Sequence, residues 1–309
     1  MILASIDIGT NTVLLLIADV GPTGAVSPLV SEQRIPRLGR GVDAARHLAP
    51  DSMRRVVSVL KEYRAIIDRY RPAHVALCGT SAVRDAANRA EFAALVKAET
   101  GFEVEVMSGD DEARWTYRGA VSGLPGVARA AVLDIGGGST ELSLGDAHGP
   151  SRSISMDIGA VRLTERFLAS DPPTREELNR AIVDIRSHVH RTASFDARGY
   201  TLVAVAGTPT TLAILAQGLP RFSADAVANY PLSRDRIRGL LETLSGMRVA
   251  EIRKLSEVME GRADVIVAGT LILQEIMKTH GFEEAIVSDR GVRYGIVIRE
   301  WEKAMDNGL

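Results

Sequence analysis

A chain of 309 residues with 46% hydrophobic and 25% charged residues has the composition of a globular protein with one large or two ordinary domains. Its formal net charge of −2 argues against a dedicated nucleic-acid binder, and its one cysteine, Cys78, excludes an intramolecular disulfide or a cysteine-based metal cluster. No signal peptide is read, because Asp7 and Gly9 interrupt the first apolar run and no basic segment precedes it; Val13–Ala18 is far too short to cross a bilayer, and a cytoplasmic protein is expected.

In chain order, a strand is predicted over Met1–Ile6 and another over Val13–Val20, joined by the tip Asp7-Ile8-Gly9-Thr10-Asn11-Thr12. Helical spacing of Met53, Val56, Val57, Leu60, Tyr63, Ile66, Ile67 and Tyr70 predicts a helix over Asp51–Tyr70, with Pro50 suited to its first turn and Arg71-Pro72 closing it. A strand follows at His74–Cys78, with Cys78 read as a buried strand residue, then a helix at Asn88–Thr100 closed by Gly101. Phe102–Met107 alternates as a strand and Asp110–Val121 reads as a helix. Ser122–Gly126 is the best linker candidate. Beyond it the plan restarts: a strand at Ala130–Leu133, the tip Asp134-Ile135-Gly136-Gly137-Gly138-Ser139-Thr140, a strand at Glu141–Gly145 and a third at Arg152–Ile158. Helices are expected near Ala160–Ala169 and Thr174–Ala193, and a buried strand at Thr201–Ala206 runs into a helix through Gly207-Thr208-Pro209-Thr210-Thr211. Helices at Ser233–Ser245, Ala263–His280 and Val292–Met305, with a short strand at Ala285–Val287, complete an alternation that favours an α/β fold.

The two tips repeat one phrase 127 residues apart (Asp7 to Asp134). Glycines let backbone N–H groups approach an anion closely, and Thr, Asn and Ser add donors. An aspartate beside a phosphate is repelled unless a cation or a bound water lies between them, so the phrase implies Mg²⁺ or such a water. Two copies suggest two related lobes facing one cleft. Three further segments share this chemistry. Gly207–Thr211 puts hydroxyls near a helix N-terminus, where anions are favoured. Gly79–Asp85 follows a buried strand with another Gly-Thr turn and offers Arg84, whose guanidinium can grip a phosphate in two places. Ser108–Arg114 stands between a strand and a helix and carries Glu112. Arg34, Arg37, Arg40, Arg290 and Arg293 are weaker candidates for a basic lining.

The set Asp7–Thr12, Gly79–Ala86, Ser108–Arg114, Asp134–Leu142, Gly207–Ala213, Gly261–Gly269 and Ser288–Gly295 resembles the exopolyphosphatase / guanosine pentaphosphate phosphohydrolase (Ppx/GppA) family of the actin–hexokinase–Hsp70 superfamily, nearly end to end. That resemblance implies an α/β fold of two actin-like, ribonuclease H-like lobes with a central active-site cleft. The lobes would span residues 1–125 and 126–295, with the terminal helix 296–309 packing back on the first. Longer relatives continue into an all-helical domain, which would not be part of this 309-residue chain. The resemblance implies Glu112 as catalytic base, with Asp134 and Glu141 holding Mg²⁺ (or Mn²⁺) and the attacking water and Asp7 as a further metal ligand. Asp111 stands where the family usually has glutamate. Asn11, Thr12, Arg84, Gly137, Gly138, Ser139, Thr140, Gly207 and Thr208 would contact phosphates. The implied reaction is removal of the terminal phosphate of inorganic polyphosphate, the alternative being the same chemistry on guanosine pentaphosphate (pppGpp). A superfamily kinase and a non-catalytic polyphosphate or alarmone sensor are the more distant readings. No nucleic-acid or membrane partner is expected, and relatives suggest a homodimer.

Overall fold

Short apolar runs broken by Gly and Pro turns form strands here, and the 3.6-residue stripes between them form helices, as the periodicities require. The computed structural model describes residues 1–124 and 126–307; Pro125 of the predicted linker and lobe boundary, and Gly308 and Leu309 of the terminal segment, lie outside the described residues. The chain divides into two compact units, Met1–Ser122 with Arg290–Leu309, and Gly123–Asp289.

The first unit holds a five-stranded sheet of β1 (Ile2–Ile8), β2 (Val13–Val20), β3 (Val26–Arg34), β4 (His74–Gly79) and β5 (Val104–Val106), in the order β3-β2-β1-β4-β5. β1, β2 and β3 run antiparallel, whereas β4 is parallel to β1 and β5 to β4. Ala4, Ile6, Ile8, Val13, Leu15 and Ile17 pack one face against Met53, Val56, Leu60, Tyr63 and Ile67 of the helix Pro50–Tyr70. On the opposite face Leu3, Leu16 and Ala18 meet Tyr294, Val297 and Ile298 of the helix Val292–Asp306.

The second unit repeats the plan. Its strands are β6 (Arg129–Ile135), β7 (Thr140–Asp146), β8 (Gly149–Met156), β9 (Thr201–Val205), β10 (Tyr230–Ser233) and β11 (Glu284–Val287), in the order β10-β11-β9-β6-β7-β8. β6, β7 and β8 are antiparallel, β9 is parallel to β6 and β11 to β9, and β10 adds an antiparallel edge. The registers coincide as well. Asp7 stands opposite Leu14 and beside Cys78, and Asp134 opposite Glu141 and beside Val205. Ala131, Leu133, Ile135, Leu142 and Leu144 form the core face with Ala181, Ile185 and Val189 of the helix Arg175–Val189. Asp134 and Glu141 alternate with those residues and so point to the other face.

Two strands escape the sequence reading. β3 is an edge strand that is exposed along most of its length and contains Pro28, so it carries almost no apolar alternation. β10 is also an edge, four residues long with only Leu232 buried. The strand predicted over Phe102–Met107 shortens to Val104–Val106, because only the stretch facing β4 has a partner to pair with.

The helices Gly109–Val121 and Val292–Asp306, both in the first unit, approach until their backbones touch. A Cβ on Gly295 would overlap the carbonyl of Trp115, and one on Gly119 the carbonyl of Gly291. This contact anchors the helix that begins just before Glu112. Glycine-to-alanine replacement inside an ordinary helix gains about 1 kcal/mol. Here Gly295→Ala is expected to cost about 1–3 kcal/mol, as overpacking does; a urea unfolding midpoint at or above the wild-type value would contradict the contact.

Candidate active site

Each hairpin tip is held by its carbonyl oxygens. In the second unit the helix Ala160–Phe167 begins under the tip. The Ala160 N–H donates to Gly136 O (2.9 Å), those of Val161 and Arg162 to Gly137 O (2.8 and 3.0 Å), and Arg162 Nε to Gly138 O (2.6 Å). These are the donors that a helix start leaves unused. In a planar trans peptide the C=O of one residue and the N–H of the next point in opposite directions. Tying down the carbonyls of Gly136, Gly137 and Gly138 therefore turns the N–H groups of Gly137, Gly138 and Ser139 the other way, as three successive donors forming an anion nest. The approach is close enough to need glycine at 159, where a Cβ would sit 2.5 Å from the Gly137 carbonyl.

The first unit reaches the same result without a helix. Gly39 N–H donates to Thr10 O (2.8 Å) and Arg37 N–H to Asn11 O (3.1 Å), which turns the N–H groups of Asn11 and Thr12 outward. Each tip is closed by an equivalent bond, Gly9 N–H to Thr12 O (2.9 Å) and Gly136 N–H to Ser139 O (3.0 Å). Asp7 is buried at the base of this tip.

Asp134 and Glu141 face each other across β6 and β7, so their carboxylates lie on one side of the sheet; both are buried, at 8% and 2% exposure. Ser155, opposite Glu141 on β8, donates to Glu141 Oε1 at 2.6 Å. Among the described residues no group of three or more His, Cys, Asp or Glu side chains is gathered to hold a metal. The expected third ligand, Asp7, belongs to the other unit. Two carboxylates are nevertheless a donor set that Mg²⁺ accepts, since it completes its shell with waters and phosphate oxygens.

In the first unit, Glu112 lies in the first turn of the helix Gly109–Val121, whose N-cap Ser108 accepts the Asp111 N–H (3.1 Å). Arg84 Nη1 donates to Glu112 Oε2 (2.9 Å) and to Met107 O (3.0 Å), bringing together the two charged residues that the sequence singled out on separate segments. Burial pushes the Glu112 carboxyl above the ordinary glutamate value; the Arg84 charge and hydrogen bond, and a hydrogen bond from Thr80, pull the other way without cancelling it. Thr80 is thus a partner of Glu112 that only the structure identifies.

Gly207 opens the helix Gly207–Ala216, directly after Ala206, which adopts φ 74° and ψ −167°, a region essentially reserved for glycine. The Arg262 guanidinium covers this turn so closely that a Cβ on Gly207 would overlap it, and burial lowers the Arg262 pKa to about 10. Arg262 lies within Gly261–Gly269, one of the segments that carry the family resemblance, but the sequence assigns it no role; it lies 55 positions from Gly207 (207 to 262), and no local pattern links them.

Several expected site residues are used within the scaffold. The Thr140 hydroxyl is fully buried and donates to Ile158 O (2.7 Å), which ties the tip to the end of β8. That bond gives the hydroxyl a supporting role at the tip, where residue 140 already belongs to the paired strand. The Thr208 side chain packs against Gly269 of the helix Ile266–His280. Arg34 pairs with Glu32 (2.9 Å) and Glu62 (3.3 Å). Arg290 stacks over Tyr294 at 4.9 Å. Burial pushes the Cys78 thiol up to about 12, which leaves it an inert strand residue.

A nest of N–H donors beside opposed carboxylates, on a twice-used β-sheet plan, is the equipment of a phosphoryl-handling protein. The Ppx/GppA phosphatase family model matches residues 16–304, and the chain belongs to that family. Exopolyphosphatase 2 of Mycobacterium tuberculosis is 38% identical over 96% of this chain and 97% of its own. The crystal structure of the Aquifex aeolicus Ppx/GppA family member is 34% identical, with a TM-score of 0.83 over 98% of both chains. An exopolyphosphatase structure from Cytophaga hutchinsonii is 27% identical, with a TM-score of 0.89 over 100% of this chain and 99% of that one. The mixed α/β, two-sheet fold is the actin-like fold of this family. Among the described residues no helix is long and apolar enough to cross a membrane.

The raised Glu112 pKa has a consequence for stability. A carboxyl raised on folding adds stability that is complete below its unfolded pKa, about 4.3, and lost as pH rises through the folded value. Glu112→Gln is therefore expected to unfold at the wild-type temperature or above it at pH 7, with the difference closing near pH 4. Calorimetric melting at both values checks this; a clearly less stable variant at pH 7 would mean that the Arg84 pairing outweighs burial.

Proposed function

We propose that the chain is a Mg²⁺- or Mn²⁺-dependent exopolyphosphatase that hydrolyses the terminal phosphoanhydride of inorganic polyphosphate and releases orthophosphate. The observation that carries this reading is the nest at Gly137, Gly138 and Ser139 beside the in-register pair Asp134 and Glu141. The 38% identity to a protein named an exopolyphosphatase supports the choice of substrate.

Each group has work that fits its surroundings. The N–H groups of Gly137, Gly138 and Ser139, and those of Asn11 and Thr12, neutralise terminal phosphate oxygens without needing to reorganise. Arg84 adds a guanidinium, and Arg262 a second at the Gly207 turn. Asp134 and Glu141 hold the divalent cation, with Asp7 a further candidate ligand; when bound, the cation offsets charge on the phosphates and lowers the pKa of attacking water. Glu112, raised by burial, accepts the proton as the water oxygen bonds to the terminal phosphorus and the bridging P–O bond breaks. The products are orthophosphate and a chain one phosphate shorter. The same equipment suits pppGpp. A homodimer and a cytoplasmic location complete the reading, both by analogy with the family.

Purified protein with Mg²⁺ should release orthophosphate from short or long polyphosphate, and Glu112→Gln should lower turnover by about 10²–10⁴-fold. Release from pppGpp alone would move the protein to alarmone metabolism. Absence of release from any of these, with tight binding or with phosphorylation of an acceptor by ATP, would replace hydrolysis by a sensor or kinase role.

The pH profile gives a second check. The acidic limb of kcat/KM should lie above the ordinary glutamate range, because burial raises Glu112. Arg84→Gln removes the charge that opposes this shift, so its limb should move to still higher pH; a limb that stays in place would separate Glu112 from the titration.

A further inference from the structure

The two units differ most informatively in one cross-strand row. In the first unit the row reads Asp7, Leu14, Gln33 across β1, β2 and β3. In the second it reads Asp134, Glu141, Ser155 across β6, β7 and β8. Leu14 and Gln33, an apolar and an uncharged polar residue, thus give way in the other copy to the acid Glu141 and the hydroxyl of Ser155, on the same backbone register. The Ser155 Oγ to Glu141 Oε1 distance of 2.6 Å is that of a charge-assisted O–H···O⁻ bond. Ser155 approaches from the β8 side, opposite to Asp134 on β6. The bond therefore fixes Oε1 toward β8 and sets the carboxylate plane relative to Asp134. A glutamate has three side-chain torsions to restrict, so an unlatched Glu141 would have to be ordered each time a cation bound.

We propose that Ser155 is a positioning residue for the divalent cation: its hydroxyl orients Glu141 so that Glu141 and Asp134 present a preformed pair of carboxylates. This rests on the metal-dependent reading of the site given above. Outer partners that orient metal-binding carboxylates typically change affinity by about 10–100-fold when removed. The next row supplies an internal control. Ser143 and Ser153 share a hydrogen bond of 2.9 Å between the same two strands and involve no carboxylate. A serine-to-alanine change there perturbs β7–β8 pairing to a similar degree without touching Glu141.

Mn²⁺ titration of the substrate-free full chain, followed by electron paramagnetic resonance, reads the effect apart from turnover. Ser155→Ala should weaken Mn²⁺ binding by about tenfold, and should raise the Mg²⁺ concentration for half-maximal phosphate release by a similar factor, with kcat at saturating Mg²⁺ nearly unchanged. Ser155→Thr, which keeps the hydroxyl, should restore affinity, and Ser153→Ala should bind Mn²⁺ as the wild type does. Wild-type affinity in Ser155→Ala, or equal losses in Ser155→Ala and Ser153→Ala, would overturn the positioning role alone. A wild-type chain that binds no Mn²⁺ would overturn the metal-dependent reading and this inference together.

Discussion

The carbonyl oxygens of the two hairpin tips are bonded to donors from their own units, and the planarity of the peptide group turns that tethering into function. A Gly-rich turn alone is flexible and would present its N–H groups in many directions. Here the start of the helix Ala160–Phe167 and the Arg162 side chain hold three successive carbonyls, and the next three N–H groups are aimed by default. At the helix Arg175–Val189, by contrast, the start is satisfied by a side-chain cap from Thr174. At the second tip the orphan donors serve the turn instead, so one feature satisfies the helix and shapes the anion nest.

The duplicated plan explains where the units are alike and where they diverge. Tip closure, strand order and the positions of Asp7 and Asp134 are shared, because they define the hairpin. Divergence falls on what surrounds it: a loop through Arg37 and Gly39 replaces the helix start, and Leu14 stands where the second unit has Glu141. Two carboxylates directly opposite one another destabilise a sheet in isolation. The buried placement of Asp134 and Glu141 therefore carries a repulsion that a bound cation would offset. The glycine contact between the helices carrying Gly119 and Gly295 plays the corresponding supporting role for Glu112.

Much of this was legible from residues alone. The tips stood out because Gly, Thr, Asn and Ser follow apolar runs, and most helices because their stripes are long. Arg84 and Glu112 were marked from separate segments, although their mutual bond was not visible 28 positions apart (84 to 112). The hidden part consists of distant pairings. Nothing near Gly137 announces that residues 160–162 hold it, nothing near Gly207 points to Arg262, and nothing near Glu141 points to Ser155. β3 is hidden because an edge strand need not alternate, and the bond from the Thr140 hydroxyl to Ile158 O is hidden because nothing near residue 140 points to it.

The central claim is that carbonyl tethering aims the tip amides at phosphate, and amide NMR tests it without relying on turnover. Orthophosphate titrated into the ¹⁵N-labelled chain with Mg²⁺ should shift the amides of Gly137, Gly138 and Ser139 saturably, and at the first tip those of Asn11 and Thr12, while Gly199 and Gly281 at the opposite end of the second sheet stay fixed. Tip amides that remain unmoved at phosphate saturation, in a chain that still hydrolyses its substrate, would contradict the account.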